Sequence, residues 1–358
     1  MREVSLESIS GMKYGKMPPK NILNDSNEGY PIYSGYRVTG YAKEFLYKDE
    51  MLIIVARGVG GTGDVKISPE QSWITNLSIV LTVDEEQVDK YYLKYLLNRE
   101  KLKDKLNTGA AQSQITIDSL SRYKIKLPEL NIQKRIADII LSYEGLIENN
   151  RRRIKLLEES SQLLYKEWFV HLRFPSHEHI KIIDGIPGGW SKEPLGNLLT
   201  LQRGFDLPSK ARKNGSIPIY ASTGINGFHN EAKVKRPGVI TGRSGSLGKV
   251  MYVSREHWPL NTTLWVKEFK KVTPIISTFI LRSLKLENYN GGAAVPTLNR
   301  NDVHKIDVLC PTGKLIREFD LQVEILFQQI EQLTEYNQKL AKARDILIPC
   351  LMNGDLVV

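Results

Sequence analysis

A chain of 358 residues with 41% hydrophobic content can bury roughly two cores of ordinary size, so two globular units are the starting expectation. Fifty Lys and Arg against forty Asp and Glu leave a net charge of +10 and an isoelectric point near 9.3, which favours a polyanionic partner. The two cysteines, Cys310 and Cys350, lack metal-ligand spacing and the dense pairing of secreted scaffolds, no apolar run approaches a membrane span, and Met1-Arg2-Glu3 opens no signal peptide; export and membrane classes are set aside and a cytoplasmic location is expected.

In chain order, residues 1–127 read as a mixed α and β unit. β-rich runs stand at Met51 to Ala56 and Ile79 to Val83, set off by Gly- and Asn-containing turns, and a helical pattern covers Val88 to Leu106. Gly58-x-Gly60-x-x-Gly63 has the spacing of a dinucleotide or S-adenosylmethionine loop. Its context argues against that use. Asp64-Val65-Lys66-Ile67-Ser68-Pro69 alternates like a second strand and ends at a proline, so no helix N-terminus follows to hold a phosphate. A tight β-turn carrying an arginine is the better reading.

Residues 128–170 carry the clearest period, an apolar seam with alternating spacings of four and three: Ile136, Ile140, Tyr143, Ile147, Asn150, Ile154, Leu157, Ser161, Leu164, Trp168. Only Asn150 and Ser161 break it. Arg151-Arg152-Arg153 lies off the seam and reads as a solvated helix face. Residues 171–190, with Pro175, Pro187, Gly188 and Gly189, read as a linker. Its His171, His177 and His179 make a poor metal site, since no fourth ligand has suitable spacing and the other half of the chain has no equivalent.

Residues 191–310 then repeat the first unit, with a β-rich run at Gly238 to Thr241 and a helical pattern at Pro274 to Tyr289. Pro31-Ile32-Tyr33-Ser34 matches Pro218-Ile219-Tyr220-Ala221, Arg57 matches Arg243, Trp73 with Asn76 matches Trp258 with Asn261, and Asn107-x-Gly109-Ala110-Ala111 matches Asn290-x-Gly292-Ala293-Ala294. Leu6 and Gly15 match Leu195 and Gly204. Residues 311–352 repeat the seam 183 positions on, as Phe319, Val323, Leu326, Ile330, Leu333, Asn337, Leu340, Arg344, Leu347, Leu351. A lone helix of this length, about 50 Å, would leave its seam in water. The two helices are therefore expected to pair as an antiparallel coiled coil with a globular unit at each end, an α+β fold with a pseudo-twofold internal repeat.

The chain carries no Asn-Pro-Pro-aromatic or Asp-Pro-Pro-Tyr tetrapeptide for holding a flipped base, no phosphate loop ending in Gly-Lys-Ser/Thr and no nuclease carboxylate cluster, so no active site is expected. The order of its parts resembles the specificity subunit family of type I restriction enzymes. The resemblance is carried by Leu164-Tyr165-Lys166-Glu167-Trp168-Phe169-Val170 closing the first long helix, by Pro187-x-Gly189-Trp190 with Leu195-Gly196 opening the second domain, and by the Arg-x-Gly turns. It implies two target recognition domains, each reading half of a split duplex DNA target, and a coiled coil that sets the unread gap. It also implies two modification subunits that bring S-adenosylmethionine, restriction subunits in the full enzyme, and no cofactor in this chain.

Both copies need one scaffold while different half-sites need different readers, so residues that differ at matched loops are reader candidates. These are Tyr36 and Arg37 against Thr223, and Gln112, Gln114 and Thr116 against Thr297, Asn299 and Arg300. Shared Arg57 and Arg243, with Ser244 and the basic Lys13, Lys16, Lys210, Arg212 and Lys213, are candidates for the DNA backbone. The alternatives are a coiled-coil scaffold or RNA-binding protein, and a nucleotide-dependent methyltransferase using Gly58 to Gly63.

Overall fold

The computed structural model describes residues 1–26, 28–35, 37–58, 61–108, 113–235, 237–289 and 297–356. The chain divides into two compact units, one built from Met1–Asn149 and Tyr336–Val358, the other from Asn150–Glu335.

In the first unit an antiparallel sheet orders the strands Ser10–Tyr14, Ser78–Val83, Leu52–Val55 and Val65–Ile67. Leu52–Val55 is buried along its whole length because both of its faces are covered. Leu52 and Ile54, with Ile79 and Leu81, join the core under the helix Lys90–Arg99, while Ile53 and Val80 pack with Tyr33, Tyr47 and Ile74 on the other side. That division is the period of two that a strand imposes. The second sheet orders Leu23–Asn24, Arg37–Ala42, Tyr30–Ser34 and Trp73–Ile74, the last pairing in parallel. A small ladder joins Arg2–Ser5 to Lys124–Leu127 and so closes the unit's two ends on each other.

The helix Lys90–Arg99 starts where the Asp89 carboxylate accepts the Tyr92 amide at 2.8 Å, and it buries Tyr92, Leu93, Leu96 and Leu97. The helical pattern over Val88 to Leu106 is broken at Lys101, whose left-handed backbone (φ 50°) starts a separate turn at Leu102–Leu106. Asn98 fixes the helix to the sheet edge by accepting the Val65 amide and donating to the Val65 carbonyl, at 2.9 and 2.8 Å.

The second unit repeats this order. Leu199–Arg203, Thr263–Phe269, Gly238–Gly242 and Val250–Val253 form one antiparallel sheet, and Gly224–His229, Ile217–Ala221 and Trp258–Pro259 form the other. Ser191–Pro194 pairs with Asp307–Cys310 as Arg2–Ser5 does with Lys124–Leu127. The helix Pro274–Ser283, capped by Thr273, stops before Lys285, which is left-handed like Lys101 (φ 48°). Arg282 takes the place of Asn98 and donates to the Val250 carbonyl. The segment 171–190 holds a hairpin of Ile182–Ile183 and Ile186–Pro187, and its Phe174 and Trp190 enter this unit's core with ring centroids 5.4 Å apart.

The two long helices run over Leu130–Tyr165 and Gly313–Asn353. Every seam position is buried or half-buried, Trp168 lying on the π-helical turn Lys166–Val170 that continues the first helix. In the first unit Ile136 and Ile140 share a core with Leu351 and Met352, and farther along the Asn337 amide donates to the Ile147 carbonyl, so the helices are antiparallel there. In the second unit Phe319 and Val323 join the core of Tyr165, Trp168 and Phe169. Arg151, Arg152 and Arg153 are exposed.

Candidate nucleic-acid interface

The matched turns are built on two glycines. A Cβ on Gly15 would stand 2.3 Å from the Thr75 carbonyl oxygen, and one on Gly204 would stand 2.1 Å from that of Leu260, so only glycine lets the strand cross the neighbouring backbone. That crossing sets the residue before each glycine, Tyr14 and Arg203, at the strand end with its side chain exposed. Arg57 and Arg243 follow the central strands, their amides donating to the Leu77 and Thr262 carbonyls. Each turn is then bridged to the loop that precedes a short helix, by Arg57 with Gln114 and by Ser244 with Thr297.

In the second unit these parts frame one open hollow of about 440 Å³, lined by Arg203, Arg243, Leu264, Thr297, Leu298, Asn299 and Arg300. Four residues expected at the interface from sequence, Arg243, Thr297, Asn299 and Arg300, thus share a single site. Arg203 was missed. The signal that could have found it is its match to Tyr14 just before the shared glycine, a difference as sharp as those in the chosen loops. Beside this hollow, Ser222 packs against Gly242 and Gly245, and the Lys249 ammonium donates to the Thr223 carbonyl, which brings the Thr223 turn to the same surface. Arg212 reaches that hairpin too, donating to the Asn226 carbonyl and side chain at 2.7 and 3.0 Å. Lys210 lies exposed on the preceding turn, and the Lys213 amide donates to His229 Nδ1.

In the first unit Thr62 Oγ1 donates to the carbonyls of Gly58 and Ser113, tying the glycine turn to the loop that carries Gln114. The segment after Gly63 is the strand Val65–Ile67. Arg37 is exposed at the start of the Arg37–Ala42 strand, Lys13 lies over the Tyr47 ring at 5.1 Å, and Lys16 is exposed. Tyr36 and Gln112 lie outside the described residues.

Two reader candidates have structural duties. Thr116 caps the helix Ile117–Ser121 by accepting the Ser119 amide, and Asn299 caps Arg300–His304 by accepting the Asn301 amide. His304 is held neutral by burial and then by the nearby charges of Arg300 and Lys270, and its Nε2 accepts the Leu201 amide at 2.8 Å. Among the described residues no group of three or more His, Cys, Asp or Glu could hold a metal. His171 and His177 sit instead against Glu167 and the Phe174 carbonyl.

One scaffold used twice, with unlike side chains on its matched turns and a long helix after each copy, is the architecture of a tandem-domain recognition protein. Residues 1–159 match the family described as the type I restriction modification DNA specificity domain. The chain is 24% identical over 318 residues to the type I restriction enzyme MjaIX specificity subunit of Methanocaldococcus jannaschii, covering 79% of this chain and 73% of that one. It is 23% identical over 332 residues to the HindI specificity subunit of Haemophilus influenzae, covering 68% and 71%. The crystal structure of a type I restriction-modification S subunit from M. genitalium has the same fold, with a TM-score of 0.70 at 18% identity over 98% of this chain and 95% of that one. Over most of its length the chain is thus similar to type I restriction-modification specificity subunits, and its residues 1–159 match the DNA specificity domain of that family.

Proposed function

We propose that this chain selects a split duplex DNA target and performs no chemistry itself. Residues 1–127 read one half-site and residues 191–310 the other. The long helices, residues 128–170 and 311–352, set the spacer between the halves and bind two modification subunits, which supply S-adenosylmethionine; restriction subunits join the complete enzyme.

The observation that carries this reading is the paired turns: an arginine is kept at Arg57 and Arg243 while their neighbours differ in chemistry. A kept cation suits the invariant sugar-phosphate backbone, and changed polar side chains suit changed base edges. Arg37 and Gln114 are the readers in the first domain, and Thr223 and Thr297 those in the second. Lys13 and Lys16, and Lys210, Arg212 and Lys213, steady the backbone on either side. Each good bidentate base contact is worth about 1–3 kcal/mol of discrimination. Arg37→Ala with Gln114→Ala is therefore expected to relax base preference in one half of the selected motif by about tenfold or more and leave the other half intact. Loss of preference in both halves, or in neither, contradicts the assignment.

A further inference from the structure

The two globular regions share a scaffold but not a charge. Residues 191–310 hold 18 Lys and Arg against 8 Asp and Glu, whereas residues 1–127 hold 18 against 16. The second region alone accounts for a surplus equal to the net charge of the whole chain, +10.

Part of the surplus stands where the turns converge. The hollow of the second unit brings together Arg203, Arg243 and Arg300. The matched positions of the first unit are Tyr14, Arg57 and Ile117: Tyr14 and Arg203 each precede the buried crossing glycine, and Ile117 and Arg300 each open the short helix after the bridged loop. A fourth position reverses sign. Lys249, next to left-handed Gly248, stands where the first unit has Asp64 next to left-handed Gly63.

Three arginines line one concavity, and like charges gathered around it favour an anion among them. Arg203 has a counter-charge in Asp206 at 3.6 Å, and among the described residues Arg243 donates only a long bond, 3.4 Å, to the Asn261 carbonyl. A base edge offers one or two neutral acceptors, while a phosphodiester offers a full negative charge and two oxygens, the better match for converging arginines. We propose that the hollow framed by Arg203, Arg243 and Arg300 seats a DNA backbone phosphate, and that residues 191–310 are the electrostatic anchor of the chain on its duplex. Arg300 then holds rather than reads. The first domain engages its half-site with much less ionic attraction. This inference rests on the duplex-binding function proposed above.

The test is the salt dependence of binding by the full chain, together with its modification subunit, to its selected duplex and to an unrelated duplex. Neutralising one phosphate contact lowers the slope of log K against log salt by about 1. Arg203→Gln with Arg300→Gln, both exposed positions, is expected to lower the slope by about 1. It should also weaken both duplexes about equally at low salt and leave the selected motif and the melting temperature unchanged. Tyr14→Arg in the first domain is expected to raise the slope. An unchanged slope in the double arginine variant overturns the phosphate seat while sequence-selective binding by the parent chain still supports the function. An altered base preference at the second half-site makes the arginines readers and also overturns it. Absence of duplex binding by the parent complex overturns both readings together.

Discussion

At the residue scale, Asp320 shows a cost the fold carries for packing the second long helix against the cap of the helix Pro274–Ser283. It lies on the second long helix against Thr273, whose hydroxyl donates to it, yet its Oδ1 is buried with no partner among the described residues. Burial pushes its carboxyl up from 3.8 to about 6, so the native state binds the proton more tightly than the unfolded chain. Asp320 therefore destabilises above about pH 6, and the penalty fades as the pH falls toward 3.8. Asp320→Asn is expected to raise stability at neutral pH by roughly 1 kcal/mol, allowing for solvent screening at this half-buried site, and to have no effect near pH 4 in urea unfolding. Histidines act in the opposite sense. His257 and His304 are both held below 6.5 by burial, so the stability they lend is present above that pH and lost as it falls through their native values. Thermal melting between pH 7.5 and 5 should show a loss that is smaller in His257→Phe. The ring of His257 also fills the space beside Gly238, where a Cβ would stand 2.4 Å from it. Gly238→Ala is expected to cost about 1–3 kcal/mol by overpacking, measured by chemical denaturation.

At the element scale, the helices and central strands were legible because their periods are local. The seam spacings marked both long helices, and runs such as Leu52 to Val55 marked strands buried on two faces. The breaks at Lys101 and Lys285 were not legible, since a left-handed lysine gives no compositional sign and its conformation is imposed by packing. The ladder of Arg2–Ser5 with Lys124–Leu127 was hidden for another reason: it pairs segments over a hundred residues apart. The site was half legible. Comparing the copies found Arg243, Thr297, Asn299 and Arg300, but only the folded turn shows that Arg203 joins them and that Thr116 and Asn299 are caps. The copies also solve one contact in two ways. Tyr95 donates to Glu144 of the first long helix at 2.9 Å, while the matched Phe279 stacks on Phe327 of the second, with centroids 5.9 Å apart. Tyr95→Phe is expected to cost about 1 kcal/mol and Phe279→Ala about 3–5 kcal/mol, read as shifts in urea midpoint.

At the scale of the whole molecule, the proposed function makes duplication the means by which one scaffold would address two unlike half-sites. The sheet order, the capped helix and the crossing glycine are kept, while the exposed turns carry unlike side chains and single packing contacts such as Tyr95 and Phe279 are rebuilt within the same frame. A rigid helical connection would then turn two weak, short readings into one long specification, because the gap between them is fixed. The measurement that tests this most directly is selection from randomised duplex DNA by the full chain in complex with its modification subunit. The account predicts enrichment of a split motif, two short dissimilar halves at one fixed spacing, with each half lost when the turns of one domain are altered. Enrichment of a single continuous motif, or no enrichment by a complex of confirmed mass, would contradict it.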